Sequence, residues 1–190
     1  MTLGFQCITL AALASFTAQH GVACQKTAVL NRAITVCVPS GWFVEDDGGH
    51  FFACSDPGGN CLTRVGSAPV AGHAGFSGHA GGVPSSEVPA DSTKFEAWVQ
   101  RRKDEGRRLV PYRELKPPST WPTGSRIVQF RTPFIAGSWP DEGYWIYDFL
   151  IKYGTSCFRF SLTFGFCERR ARDFVSLGEA MVLSIEQGRR

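Results

Sequence analysis

Residues 144–164 read "YWIYDFLIKYGTSCFRFSLTF", two aromatic runs around Gly154–Thr155. A glycine in first place suits a two-residue type II′ hairpin turn, whose twist matches that of the flanking strands. Fixing that turn fixes the register. Ile151 then faces Phe158, Phe149 faces Phe160, Tyr147 faces Leu162 and Trp145 faces Phe164. All eight are apolar or aromatic and fall on one side, because alternate strand residues share a face. The other side carries Asp148, Lys152, Arg159, Ser161 and Thr163, with Asp148 diagonal to Arg159. Turn chemistry and side segregation are independent signals, and they agree on a long antiparallel hairpin.

Reading outward, the C-terminal stretch places Ala171, Phe174, Val175, Gly178, Met181, Val182 and Ile185 at helical spacing, a stripe suited to lie on a sheet. Upstream, Thr93 and Glu96 read as a capping box. Phe95, Trp98 and Val99 follow as the apolar stripe of a helix that stops near Gly106. The charges in "RRKDEGRR" mix both signs at the helix end, so they read as a solvated terminus and not as a nucleic-acid footprint. "LVPYREL" and "SRIVQFRT" are short strands. Ile34, Val36 and Val38 share a strand face that ends at Pro39–Ser40–Gly41, and "WFVEDDGGHFFA" reads as a hairpin turning at Asp46–Gly49. Two carboxylates beside two glycines are too few ligands for calcium.

The chain has 190 residues, 43% hydrophobic and 19% charged, with a formal net charge of +3. That is one globular domain, and its charge excludes a dedicated nucleic-acid binder. Residues 1–23 hold an apolar run from Leu3 to Phe16 followed by small residues at Gly21 and Ala23. They read as a secretory signal peptide, leaving a single domain over 24–190. Cys7 would leave with it. Six cysteines remain, Cys24, Cys37, Cys54, Cys61, Cys157 and Cys167, an even set expected to form disulfides in an oxidising periplasmic or extracellular space.

"CSDPGGNC", residues 54–61, encloses turn formers. Its spacing is wrong for a redox pair, and no second nearby cysteine pair completes a zinc site, so it reads as a covalent staple. Pairing Cys157 with Cys167 and Cys24 with Cys37 is one of the connectivities then open. An alternative use of Cys24, in "GVAC", is lipidation, the one route by which this chain would meet a membrane.

Residues 71–91, rich in Gly, Ala and Ser, read as a mobile surface loop, with His73, Phe76 and His79 as binding candidates. Its "GFSG" falls short of a nucleophile elbow, because His79 stands where the last glycine is needed. No catalytic set, metal site or cofactor motif is read.

The fold expected is α+β, an antiparallel sheet with a central helix and a C-terminal helix packed on it, stapled by disulfides. Val38–Pro39–Ser40–Gly41–Trp42, the element order and the final helix ending "AMVLSI" with Ser184 resemble the PsbP-like domain over roughly residues 34–186. The resemblance implies an α+β sandwich that serves as a non-enzymatic binding scaffold. Members of that fold include photosystem accessory subunits, envelope lipoproteins and partners of secreted toxins. The expected function is therefore an exported protein-binding domain, in its most specific form an immunity protein against a secreted toxin. Two alternatives stand beside it: a periplasmic hydrolase using His50, His73 or His79 as general base, and a small-ligand carrier lined by Trp121, Trp139 and Trp145.

Overall fold

The aromatic hairpin lies near the middle of a seven-stranded antiparallel sheet in the computed structural model, which describes residues 23–56, 73–83, 87–105, 112–135, 143–165 and 168–188. Residues 1–22 with Cys7, and Cys61, Gly106, Trp139 and Cys167, lie outside the described residues. In chain order the strands are β1 (Cys24–Val29), β2 (Ile34–Pro39), β3 (Phe43–Asp46), β4 (His50–Cys54), β5 (Ala74–Ala80), β6 (Tyr112–Leu115), β7 (Arg126–Ile135), β8 (Gly143–Tyr153), β9 (Ser156–Gly165) and β10 (Glu186–Gln187). The helices are α1 (Phe95–Glu105) and α2 (Glu168–Leu183). The large sheet runs β3-β4-β5-β9-β8-β7-β6, and a small one runs β1-β2-β10.

The β8–β9 register is the one the turn dictates, Ile151 opposite Phe158 through Trp145 opposite Phe164. Gly154 has φ +58°, the left-handed conformation that a glycine-first turn requires. Phe149, Ile151, Phe158, Phe160, Leu162 and Phe164 form the main core. Phe174, Leu177, Met181 and Val182 of α2 cover them, together with Ile34, Val36 and Val38 of β2. Ser184 fastens this layer. Its hydroxyl donates to the Met181 carbonyl (2.6 Å) and accepts from the Cys37 N–H (2.8 Å).

The opposite face is covered too. Val88 and α1's Phe95, Trp98 and Val99 pack on Val128, Phe130, Leu150 and Cys157 in a second cluster. The helices thus lie on opposite faces of one sheet, an α+β arrangement in three layers. The cap of α1 differs from the expected box. A 3-10 turn at Ser92–Lys94 precedes it, and the Asp91 carboxylate accepts from the Thr93 N–H (2.9 Å). Asp91, two residues before Thr93, takes the Thr93 N–H in an Asx-type bond and so serves as the cap. Glu96 instead pairs with Arg126.

The mobile-loop reading of 71–91 is overturned for its centre, which is the seven-residue strand β5 between β4 and β9. Its glycines belong there for a packing reason. A Cβ on Gly78 would lie 2.4 Å from Cε1 of Phe160, whose ring covers that spot. The neighbouring strand supplies the apolar surface that β5 lacks.

Cys24 and Cys37 form a disulfide across β1 and β2, Cα to Cα 5.5 Å. The Cys24 sulfur is therefore committed, which leaves none for a lipid thioether and removes the membrane route through lipidation. Cys54 is also disulfide-bonded, to a partner outside the described residues. Cys157 corrects the expectation for it: its thiol is free and buried, and burial pushes its pKa up to about 11. Cys157 is the second residue of β9, and its side chain lies in the cluster under α1. Replacing Cys24 and Cys37 together by serine is expected to cost about 3 kcal/mol for a closed loop of this length. The urea midpoint measures it.

Candidate interaction site

The three proposed binding residues do not form one site. Phe76 is wholly buried, stacked on Phe160 with ring centroids 5.3 Å apart, and belongs to the core. That is a correction, and β5 alternation explains it: Phe76 points to the α2 side, whereas His73, Ser77 and His79 share the other. His73 precedes the strand, with Nδ1 3.5 Å from Ser55 Oγ. His79 lies six residues further, about 20 Å along an extended chain.

At that end His79 stands directly opposite His50 of β4, ring centroids 4.6 Å apart and tilted by 33°. On its other side it faces Arg159 of β9. The pair sits above the β3–β4 turn, where Asp47 accepts from the Gly49 and His50 N–H groups (3.0 and 2.7 Å). Those bonds, the one from His50 first, hold the Asp47 carboxyl below its usual pKa. Asp46 similarly accepts from Gly48 and, across the molecule, from Leu30. The acidic pair thus organises a turn.

Burial pushes the His79 imidazole below its usual pKa, and the positive charges of His50 and Arg159 act the same way, opposed by Asp47 and Asp148. His79 Nδ1 is buried without a hydrogen-bond partner among the described residues. Such a group favours the neutral imidazole in the fold, and the sign follows. The unfolded chain takes up the proton first, so this contribution to stability is intact above pH 6.5 and is lost as pH falls below it. The urea midpoint of the wild type is expected to fall between pH 7.5 and pH 5.5, and His79→Gln is expected to flatten part of that slope.

Beside the histidines lies a feature that sequence reading only half anticipated. Asp148, 2% exposed, accepts from Arg159 Nε (3.0 Å), Arg159 Nη2 (3.2 Å), Arg102 Nη2 (2.8 Å) and Ser161 Oγ (2.5 Å). The cross-strand partner Arg159 was legible, but Arg102 of α1 was not. This clamp closes one end of the α1 layer. Past it, the sheet face changes character: Val128, Phe130 and Leu150 under α1 are buried, whereas His50, Phe52, Ser77 and His79 are half-buried and Phe43 is 36% exposed. All belong to one face of the sheet by strand pairing.

Among the described residues, no group of three or more His, Cys, Asp or Glu gathers as a metal site. Of the three histidines from which the hydrolase alternative draws its base, His50 and His79 stand side by side and His73 lies apart beside Ser55. Of the carrier alternative's tryptophans, Trp121 and Trp145 are parted. Trp121 packs on Tyr153 (5.0 Å) and donates its indole N–H to the Ile185 carbonyl (2.8 Å), whereas Trp145 lies about 27 Å away along β8.

No family model matches the chain, and no curated protein matches it. Solved structures share its fold. A protein from Bacteroides thetaiotaomicron superposes with a TM-score of 0.54 at 16% identity, covering 87% of this chain and 49% of that one. The present chain thus spans about half that protein's length. The yeast Ran-binding protein Mog1p, from Saccharomyces cerevisiae, gives 0.47 at 13% identity over 87% of this chain and 96% of its own. PsbP from the cyanobacterium Synechocystis gives 0.40 at 11% identity over 90% and 98%. At these identities the likeness is one of architecture alone.

Proposed function

We propose that this chain is an exported, non-catalytic domain that binds another protein through the face of β3, β4 and β5. One observation carries the reading. The face that α1 seals over β7–β9 continues uncovered by that helix across His50, Phe52, Ser77, His79 and the exposed Phe43. Aromatic Phe43 and Phe52 lie among polar His50, Ser77 and His79, a mixture that suits a transient protein interface. Support for export comes from the Cys24–Cys37 bridge and the bonded Cys54, since disulfides persist in oxidising compartments. Residues 1–23 are then the leader, and in its most specific form the reading makes the partner a secreted toxin and this chain its immunity protein.

The test is affinity enrichment from periplasmic and culture-fluid fractions, comparing the wild type with Phe43→Glu/His79→Glu. The expected result is one stoichiometric partner that the double variant loses. Enrichment of nothing, or equal retention by the double variant, overturns the reading. Intact mass of the purified chain before and after reduction checks export separately.

A further inference from the structure

The α2-covered side of the large sheet has a polar corner near its β6 edge. There Arg113 donates Nε to Gln129 Oε1 (2.6 Å) and pairs through Nη2 with Glu179 of α2, and Gln129 Nε2 donates to the same carboxylate (3.1 Å). Glu179 is thereby matched. Arg131, one same-face position further along β7, is not. Its guanidinium lies over the Trp145 ring, 3.7 Å from the centroid, with Tyr147 at 5.9 Å. Among the described residues no carboxylate or other acceptor meets it, and its Nε is buried and unpartnered.

An arginine Nε–H buried without an acceptor among the described residues is unusual, because a buried donor ordinarily finds a partner. Trp145 fixes the guanidinium flat, which leaves its edge for hydrogen bonding. Arg131 is half-buried, so part of the guanidinium reaches solvent.

We propose that Arg131, floored by Trp145, is a binding site for a single carboxylate group. The planar fork matches a carboxylate's two oxygens, and stacking has already removed the freedom that binding would otherwise cost. Among the described residues, Arg113 is matched by Glu179, which leaves one positive charge at Arg131 and suits a monoanion. The site lies on the opposite side of the sheet from the histidine pair, so its success or failure is independent of the interface proposed above.

The experiment follows the Arg131 Nε–H and Trp145 indole N–H signals of 15N-labelled full-length protein at constant ionic strength. Acetate, a blocked Gly-Glu-Gly peptide and inorganic phosphate are titrated in turn. The expected result is saturable shifts with a carboxylate probe, roughly tenfold weaker in Arg131→Lys, which keeps the charge and loses the fork, and absent in Arg131→Met. Tighter binding of the peptide than of acetate assigns a protein side chain as the source, and equal binding assigns a free small carboxylate. Shifts that never saturate with either carboxylate probe, phosphate binding tighter than acetate, or an undiminished response in Arg131→Lys overturns the proposal. The lysine variant decides the matter even if the methionine variant does not fold.

Discussion

Asp148→Ala is expected to cost the fold about 3 kcal/mol or more, the low end of the range for breaking a buried ion pair. Removing the carboxylate leaves Arg102, Arg159 and Ser161 facing one another without an acceptor. The two guanidiniums are 21% and 27% exposed, so water reaches them in part, and this holds the loss below the upper end of the range. Asp148→Asn keeps the shape and one acceptor oxygen, and about 1–2 kcal/mol is expected for the loss of charge-assisted bonding. Urea unfolding followed by tryptophan fluorescence measures both. If alanine costs under about 1 kcal/mol, the arginines find other partners and the clamp is not what anchors the end of α1.

Phe160→Ala is expected to cost about 4 kcal/mol, since its ring is wholly buried among Phe51, Phe76 and the bare backbone of Gly78. Gly78→Ala attacks the same contact from the other strand. Its new methyl meets the ring at 2.4 Å, and the stacked Phe76 blocks retreat, so about 2–3 kcal/mol is expected. The two changes are opposite in sense, one vacating space and one filling it. The double variant is therefore expected to be more stable than the sum of the singles implies, by about 0.5–3 kcal/mol of coupling. Strict additivity would mean that the ring moves aside in the Gly78 variant and never fills the gap in the native fold.

The same contact explains what the sequence showed and what it hid. The β8–β9 hairpin was legible because its information is local: a glycine-first turn and eight side chains that segregate under one register. The α2 stripe and the Asp46–Gly49 turn were legible for the same reason. Strand β5 was not. Its residues, AGFSGHA, look unable to bury surface, and the apolar material at Gly78 arrives from a strand distant in sequence. The buried Asp148 was hidden likewise. Asp148, Lys152, Arg159 and Ser161 read as polar, and a few apolar residues on that side, Leu150 and Cys157 among them, hinted at a helix above. Arg131 was invisible because an unmatched guanidinium is defined by what surrounds it. At the candidate interface, His79 was picked out from sequence but its partner His50 was not paired with it, since that needs the β4–β5 register.

The wiring of the large sheet has a kinetic consequence. Strands β3, β4 and β5 are joined in sequence order, and so are β6, β7, β8 and β9. The sheet is therefore two locally connected ribbons welded along a single seam, where Ala74 meets Phe164 and Ala80 meets Phe158. Each ribbon zips through short closures, while the seam must wait for a far longer one. It should form last and part first, as a unit. Native-state hydrogen exchange is expected to release the β4 and β5 amides together, ahead of those linking β7 to β8.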